Sequence, residues 1–215
     1  MYWHKTNILI KRFWPEFAWD VPAAPPKTIY LTFDDGPIPE VTDFVLEELA
    51  KHKAKATFFC VGHNIEKHPD VFGRVLAQGH KVGNHTFNHL NGWKTEEETY
   101  LENIEACQKQ MEAQASEPQY FSQGKKLFRP PYGRLTNLQA QALKPYYRLI
   151  MWDVLTADFD QTLSEEKCLR NAIRYTQCGS IVVFHDSLKA ERNLRYVLPR
   201  YLKYFGRAGW RFETL

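Results

Sequence analysis

The chain has 215 residues, 44% of them hydrophobic, with a formal net charge of +3. That composition supports one sizeable core, and the small basic excess argues against nucleic acid as a partner. The four cysteines, Cys60, Cys107, Cys168 and Cys178, show no CxxC spacing and are expected to be reduced core residues.

The first 20 residues hold three of the six tryptophans, Trp3, Trp14 and Trp19, among Lys5, Lys11 and Arg12. Their apolar run, ILI, is too short for a secretory signal or a bilayer span, so a cytoplasmic location is expected. Two readings of this arm compete. Its aromatics pack across the floor of a barrel or a helix pair, or they meet lipid headgroups as a peripheral membrane contact. The proline-rich VPAAPPK, residues 21–27, reads as an extended connector. The expected organisation is therefore an arm with connector over 1–26 and a globular domain over 27–215.

Beyond the connector, short runs rich in Val, Ile, Phe and Tyr predict strands buried on both faces: TIYLTF (28–33), ATFFCV (56–61), HKVGN (80–84), KLF (126–128), YRLIMW (147–152), SIVVF (180–184) and WRFE (210–213). Helical patterns lie between them. Residues 40–52 place Val41, Phe44, Val45 and Leu49 on one face. Thr95 with Glu98, and Thr136 with Gln139, have the spacing of capping boxes. Gly79 and Gly179 each close a helical stretch before a strand. About seven alternations predict a parallel sheet with helices outside it, satisfied by a barrel or by an open doubly wound sheet.

The polar clusters follow the ends of these runs: DDGP (34–37), HTFNH (85–89), RPPYG (129–133), DVLTADFD (153–160) and HDS (185–187). In barrels and open parallel sheets alike, active sites form at that edge. His85 and His89, spaced i and i+4, together with one carboxylate suit a three-ligand divalent metal site. Asp34 and Asp35 then divide the work, one completing the ligand set and the other taking a proton from the activated water. Arg129 is positioned to offset the second carboxylate. The competing structural reading, in which both aspartates cap the helix starting near Pro39, needs only one of them. His185, ending an apolar strand, suits protonation of a leaving group. His52, His63, His68 and His80 read as structural.

TFDDGP, HTFNH and RPPYG, in this order, resemble the signature motifs of the polysaccharide deacetylase family, the NodB-homology or carbohydrate esterase family 4 domain. The resemblance runs from about Lys27 to the C-terminus. It implies an α/β fold, a distorted TIM-like (β/α) barrel of seven strands. It also implies that Asp34 is the general base, that Asp35, His85 and His89 hold one divalent ion (zinc foremost, with cobalt, nickel or manganese as alternatives), and that the backbone N–H of Tyr132 holds the oxyanion. Arg129 would orient Asp34, Asp158 would hold Arg129, and His185 would protonate the departing amine. Two motifs depart from the family pattern. Where DxxDW is usual, Leu155, Asp158 and Phe159 stand, and LxH is replaced by Val183-Phe184-His185. Phe159 and Val183 keep the pocket for the acetyl methyl apolar.

The activity this implies is N-deacetylation of an acetylated glycan or a lipid-linked amino sugar. Removal of O-acetyl groups from xylan-type polymers, or of another small acyl group such as formyl, uses the same attack chemistry. A non-catalytic glycan-binding relative is disfavoured because Asp34 and His185 are both retained. A ferrous oxygenase would not need Asp34 beside Asp35. The basic, tyrosine-interleaved stretch RNLRYVLPRYLKYF predicts an outer helix with its aromatics turned inward; the sharper reading is attraction to an anionic glycan or membrane surface. No feature specifies an oligomeric state.

Overall fold

The computed structural model describes residues 3–115 and 124–215, so Met1 and Tyr2 of the arm lie outside the described residues. Among the described residues, β1 (Thr28–Asp34), β2 (Thr57–Cys60), β3 (Lys81–Asn84), β4 (Lys126–Phe128), β5 (Tyr147–Leu149), β6 (Val154–Leu155), β7 (Ile181–His185) and β8 (Arg211–Glu213) form one sheet. The helices are α1 (Ile8–Phe13), α2 (Val41–Lys51), α3 (Gly62–Lys67), α4 (Pro69–Ala77), α5 (Glu97–Gln114), α6 (Asn137–Leu143), α7 (Glu165–Tyr175) and α8 (Glu191–Arg207). Seven strands follow a curled path in the order β5-β4-β3-β2-β1-β7-β6, all in parallel, and β8 pairs beside the first half of β1. This is the expected distorted (β/α) barrel. All seven expected runs form strands; β6 is an addition, because two apolar residues inside DVLTADFD are too few to show a period.

Alternation along β1 divides the two faces of the sheet. Ile29, Leu31 and Phe33 join the main core with Val45 and Leu49 of α2 and Leu198 and Tyr201 of α8. Thr32 and Asp34 turn the other way, into the barrel, where both accept hydrogen bonds from Arg129. Below Arg129 the interior holds Phe59, Leu127, Ile150 and Ile181, against which Ala18 and Val21 of the N-terminal segment pack.

Among the described residues no ladder joins β5 to β6, and the arm lies along that opening. Thr6 N donates to Asp153 O (2.9 Å), Leu155 N to His4 O (3.0 Å), Ala18 N to Leu149 O (2.9 Å) and Met151 N to Ala18 O (2.8 Å). These bonds satisfy edge groups that a parallel barrel left open would expose. Asp153, fully buried, anchors the arrangement: it is paired with Lys5 and Lys11, each at 2.5 Å, and accepts from Ser180 Oγ. Asp153 precedes β6 and so lies at the end of the sheet away from the other polar clusters, a correction to its expected place. Ala18 and Val21, rather than the arm's aromatics, close the interior; Trp3, Ile8, Leu9, Phe13 and Trp14 remain exposed.

Local expectations divide similarly. Thr136 and Gln139 form the capping box, and Gly79 and Gly179 adopt φ of 71° and 81° ahead of β3 and β7, the left-handed conformation that glycine alone adopts without cost. Thr95 does not cap α5: Glu96 occupies the N-cap without a side-chain bond, and Thr95 Oγ1 donates back to Asn91 O. Cys60, Cys107 and Cys168 are buried, but Cys178 is exposed, its Sγ directed to Pro25 O. On α8 Tyr201 is buried, whereas Tyr204 faces solvent. Three of the helix's arginines are engaged within the protein: Arg192 with the carbonyls of Gln161 and Leu163, Arg195 with Glu191, Arg200 with Tyr196.

Candidate active site

Parallel register brings the polar clusters to one level. Asp34 is the Cα partner of Phe59 on one side and of His185 on the other. Cys60 pairs with Asn84, one residue before His85, and Asn84 pairs with Phe128, one residue before Arg129. A cavity of about 450 Å³ opens at this rim, lined by Asp34, Asp35, His85, His89, Tyr132, Phe159, Val183 and His185, together with Pro130, Arg134, Trp152, Leu155 and Lys189. Of the expected residues, Arg129 and Asp158 alone do not reach the cavity; both are wholly buried behind it.

The two adjacent aspartates have different surroundings. Asp34 Oδ1 accepts from Arg129 Nη1 at 2.6 Å. The guanidinium also donates to Thr32 Oγ1, Ile150 O and Met151 O, and lies 4.2 Å from the centre of the Phe59 ring. A fully buried cation with this many partners holds the carboxylate in one orientation. Asp35, at φ 84°, turns away from the strand toward the histidines, with Oδ1 at 3.2 Å from His89 Nε2 and 3.8 Å from His85 Nε2. Burial alone would raise the Asp35 carboxyl. The hydrogen bond from His89 and the charges of His185, His85 and His89 outweigh it and hold Asp35 well below the usual carboxylate range. Neither aspartate caps α2, whose capping box is Glu40 with Asp43.

His85 Nδ1 lies 2.7 Å from the Arg129 carbonyl oxygen. A carbonyl only accepts, so Nδ1 carries the proton and Nε2 presents its lone pair toward Asp35 and His89. Burial lowers His85 to about 4, against the opposing charge of Asp34, so the ring is neutral near pH 7. Asp35, His85 and His89 each offer a ligand atom, all within 4.8 Å of one another. An ionised carboxylate and two imidazoles, one with its tautomer fixed by a second-layer acceptor, are a donor set that fits a divalent cation.

His185 has the opposite character. Its Nδ1 lies 2.7 Å from Asp158 Oδ1, and its backbone N–H donates to Asp158 Oδ2 at 2.8 Å. Burial lowers its pKa, but the Asp158 charge and hydrogen bond, with Asp35 and Asp34 beyond, raise it to about 9. His185 is therefore an imidazolium near pH 7. The expectation that Asp158 holds Arg129 is corrected: its carboxylate is occupied by His185, and Arg129 is held by Thr32, Asp34 and two carbonyls. Asn193 of α8 secures the turn by donating to Asp158 O and Asp160 O.

Backbone strain concentrates here. Asp35, Thr86, His89, Tyr132 and Ala157 all have φ between 55° and 84°, a conformation costing non-glycine residues of order 1–3 kcal/mol each. Side chains enforce it: Asn64 Nδ2 donates to Asp35 O (2.7 Å), Asn84 Oδ1 accepts from Thr86 N (2.9 Å) and Thr86 Oγ1 from Leu90 N (3.0 Å). Asp186 does the same for the first turn. Buried beside the expected His185, it accepts from Gly36 N (3.1 Å) and Thr42 Oγ1 (2.6 Å), and a Cβ on Gly36 would overlap its carboxylate. Sequence reasoning named the HDS cluster but gave Asp186 no role; a second acid directly after a site histidine was the available signal. Trp152, Arg134 and Lys189 at the rim gave none.

The model of the family described as "Polysaccharide deacetylase" matches residues 22–146, more than half of the chain. A peptidoglycan-N-acetylglucosamine deacetylase of Bacillus cereus is 32% identical over 200 residues, covering 92% of this chain and 90% of the relative. The chain belongs to the polysaccharide deacetylase family. A chitooligosaccharide deacetylase of Azorhizobium caulinodans is 34% identical over 161 residues, 74% of this chain and 73% of that protein. Among solved structures, the Bc1960 peptidoglycan N-acetylglucosamine deacetylase, in complex with a naphthyl N-hydroxybenzamide, superposes with a TM-score of 0.85 at 29% identity, covering 98% of this chain and 95% of that one. Polysaccharide deacetylases of this kind are hydrolases of carbon–nitrogen bonds other than peptide bonds, and they share the distorted barrel described above.

Proposed function

We propose that this polysaccharide deacetylase is a metal-dependent hydrolase removing N-acetyl groups from an amino-sugar glycan or glycolipid. The observation that carries the reading is the pairing of two opposite proton-transfer groups in one cavity: Asp34, a carboxylate held by buried Arg129, and His185, an imidazole held by buried Asp158. Both stand beside Asp35, His85 and His89, which would hold a divalent cation; the resemblance to the family makes zinc the first candidate. That cation supplies Lewis acidity, polarising the acyl oxygen and making a water at the site easier to deprotonate.

The chain's own residues carry the proton movements. Asp34, one oxygen pinned by Arg129, takes the proton of the attacking water on its other oxygen. The N–H of Tyr132, set in a left-handed turn at φ 61°, donates to the oxyanion of the tetrahedral adduct. His185 passes its Nε2 proton to the nitrogen of the departing amine, and Asp158 stabilises the imidazolium until then. Leu155, Phe159 and Val183 supply the apolar wall for the acetyl methyl.

The reading is tested by acetate release from N-acetylglucosamine oligomers and from acetylated xylan, with zinc-reconstituted protein and its Asp34→Asn variant. Zinc-dependent release from the amino sugars, reduced at least about 100-fold by the substitution, is expected. Release from xylan alone would make it an O-acetyl esterase, and release from neither would refute it.

A further inference from the structure

Beside the active-site cavity lies a second recess of about 360 Å³. Tyr132, Trp152 and Leu155 line both. The far wall of the recess is the N-terminal arm, through Trp3, Ile10 and Trp19, and among the described residues no charged side chain lines it.

The arm is not a loose appendage at this wall. Backbone bonds of Thr6 with Asp153 and of His4 with Leu155 of β6, and of Ala18 with Leu149 of β5 and with Met151, fix the chain on both sides of α1, and Lys5 and Lys11 close on Asp153. Trp3 nevertheless remains 59% exposed and Tyr132 60% exposed. Large rings with open faces, around a neutral recess that shares a wall with a reaction pocket, are the usual form of a binding subsite. The chemistry of the wall narrows the occupant. An uncharged pyranose ring has apolar C–H faces that lie against indole and phenol rings and hydroxyls that point to solvent from an open groove. An anionic ligand would find no cation in the recess, and an alkyl chain would gain more from an enclosed aliphatic slot than from exposed aromatic rings.

Building on the proposed deacetylase activity, we propose that this recess binds the sugar ring next to the one being deacetylated, stacked on the arm's indoles. The arm thus makes the enzyme selective for oligomers over single sugars. The arm, where it fills the seam between β5 and β6, then lines the route by which a glycan leaves the pocket.

Trp3→Ala tests this, since an exposed side chain can be removed without opening the core; Trp3→Phe keeps an aromatic face. In zinc-loaded protein, Trp3→Ala should lower kcat/KM for the N-acetylglucosamine trimer by about three- to tenfold, mainly through KM. The loss should shrink as the oligomer is shortened, and Trp3→Phe should restore most of it. Calorimetric titration of the trimer into Asp34→Asn protein, with and without Trp3→Ala, gives a readout independent of turnover, and the same three- to tenfold weakening is expected. Equal trimer affinity with and without the indole overturns the inference even where acetate release stands. So does an indole dependence seen for long-chain alkyl glycosides and absent for the trimer, which would make the recess a lipid site. Indole-dependent trimer affinity without any acetate release would overturn the deacetylase reading and leave the subsite standing.

Discussion

The ends of β3 and β7 each carry a histidine anchored through Nδ1, and the two rings have opposite character. His85 is anchored to the carbonyl of Arg129 and His185 to the carboxylate of Asp158, both at 2.7 Å. With a neutral acceptor, burial dominates and the ring sits at about 4; with a charged one, the ion pair dominates and the ring sits at about 9. The first arrangement leaves a lone pair on Nε2 for a cation. The second leaves a proton on Nε2 for a leaving group. On the proposed reading, the group behind each ring therefore separates a ligand from an acid in a single pocket.

The largest expected effect comes from breaking the ligand side. His85→Ala or His89→Ala should weaken zinc binding by more than about 100-fold in equilibrium dialysis and abolish zinc-dependent acetate release. Unchanged zinc affinity in both variants would remove Asp35, His85 and His89 as the cation site.

Next is the acid side. Asp158→Asn replaces the charged anchor by a neutral one and should make His185 resemble His85, lowering its pKa from about 9 to below 6.5 in the imidazole NMR titration of metal-free protein. Acetate release should fall by about 10²–10⁴-fold while zinc affinity holds. Stability follows with a definite sign. Because pairing raises the folded pKa of His185, its contribution is complete below about pH 6.5 and is lost as pH rises through about 9. Urea denaturation of metal-free protein should therefore show Asp158→Asn destabilised by about 2–3 kcal/mol near pH 6, and by less near pH 9.5.

A smaller effect concerns the turn that separates the two aspartates. Gly36→Ala drives a Cβ into the Asp186 carboxylate and should cost about 1–3 kcal/mol, with zinc affinity falling as Asp35 moves. The smallest is expected for Asp186→Asn. Burial, with the Asp35 charge, raises Asp186 to about 8 despite its bonds from Thr42 and Gly36. The acid is thus mostly neutral near pH 7, and the amide should cost less than about 1 kcal/mol in thermal denaturation, where Asp186→Ala, leaving Gly36 N–H unpaired, should cost about 1–3 kcal/mol. Equal losses for Asn and Ala would mean that Asp186 works as an anion.

The sequence by itself determined the strands and the chemical inventory of the rim. Seven apolar runs were legible because the run is itself a pattern of a few consecutive residues, although β5 and β8 each expose one face, and Thr136 with Gln139 because a capping box is complete within four. Asp34, Asp35, His85, His89 and His185 stood out because each cluster directly follows such a run. Only the tertiary structure decided which groups pair. Asp158 is 27 residues from His185, and Lys5 is 148 residues from Asp153. Neither partnership leaves a periodic trace; both depend on the parallel register that sets β6 against β7 and on a barrel that stays open where the arm can enter. The proton on each histidine, the burial of Arg129 and the aromatic wall formed by Trp3 and Trp19 follow from that register, because protonation state and exposure belong to a residue's surroundings rather than to the residue.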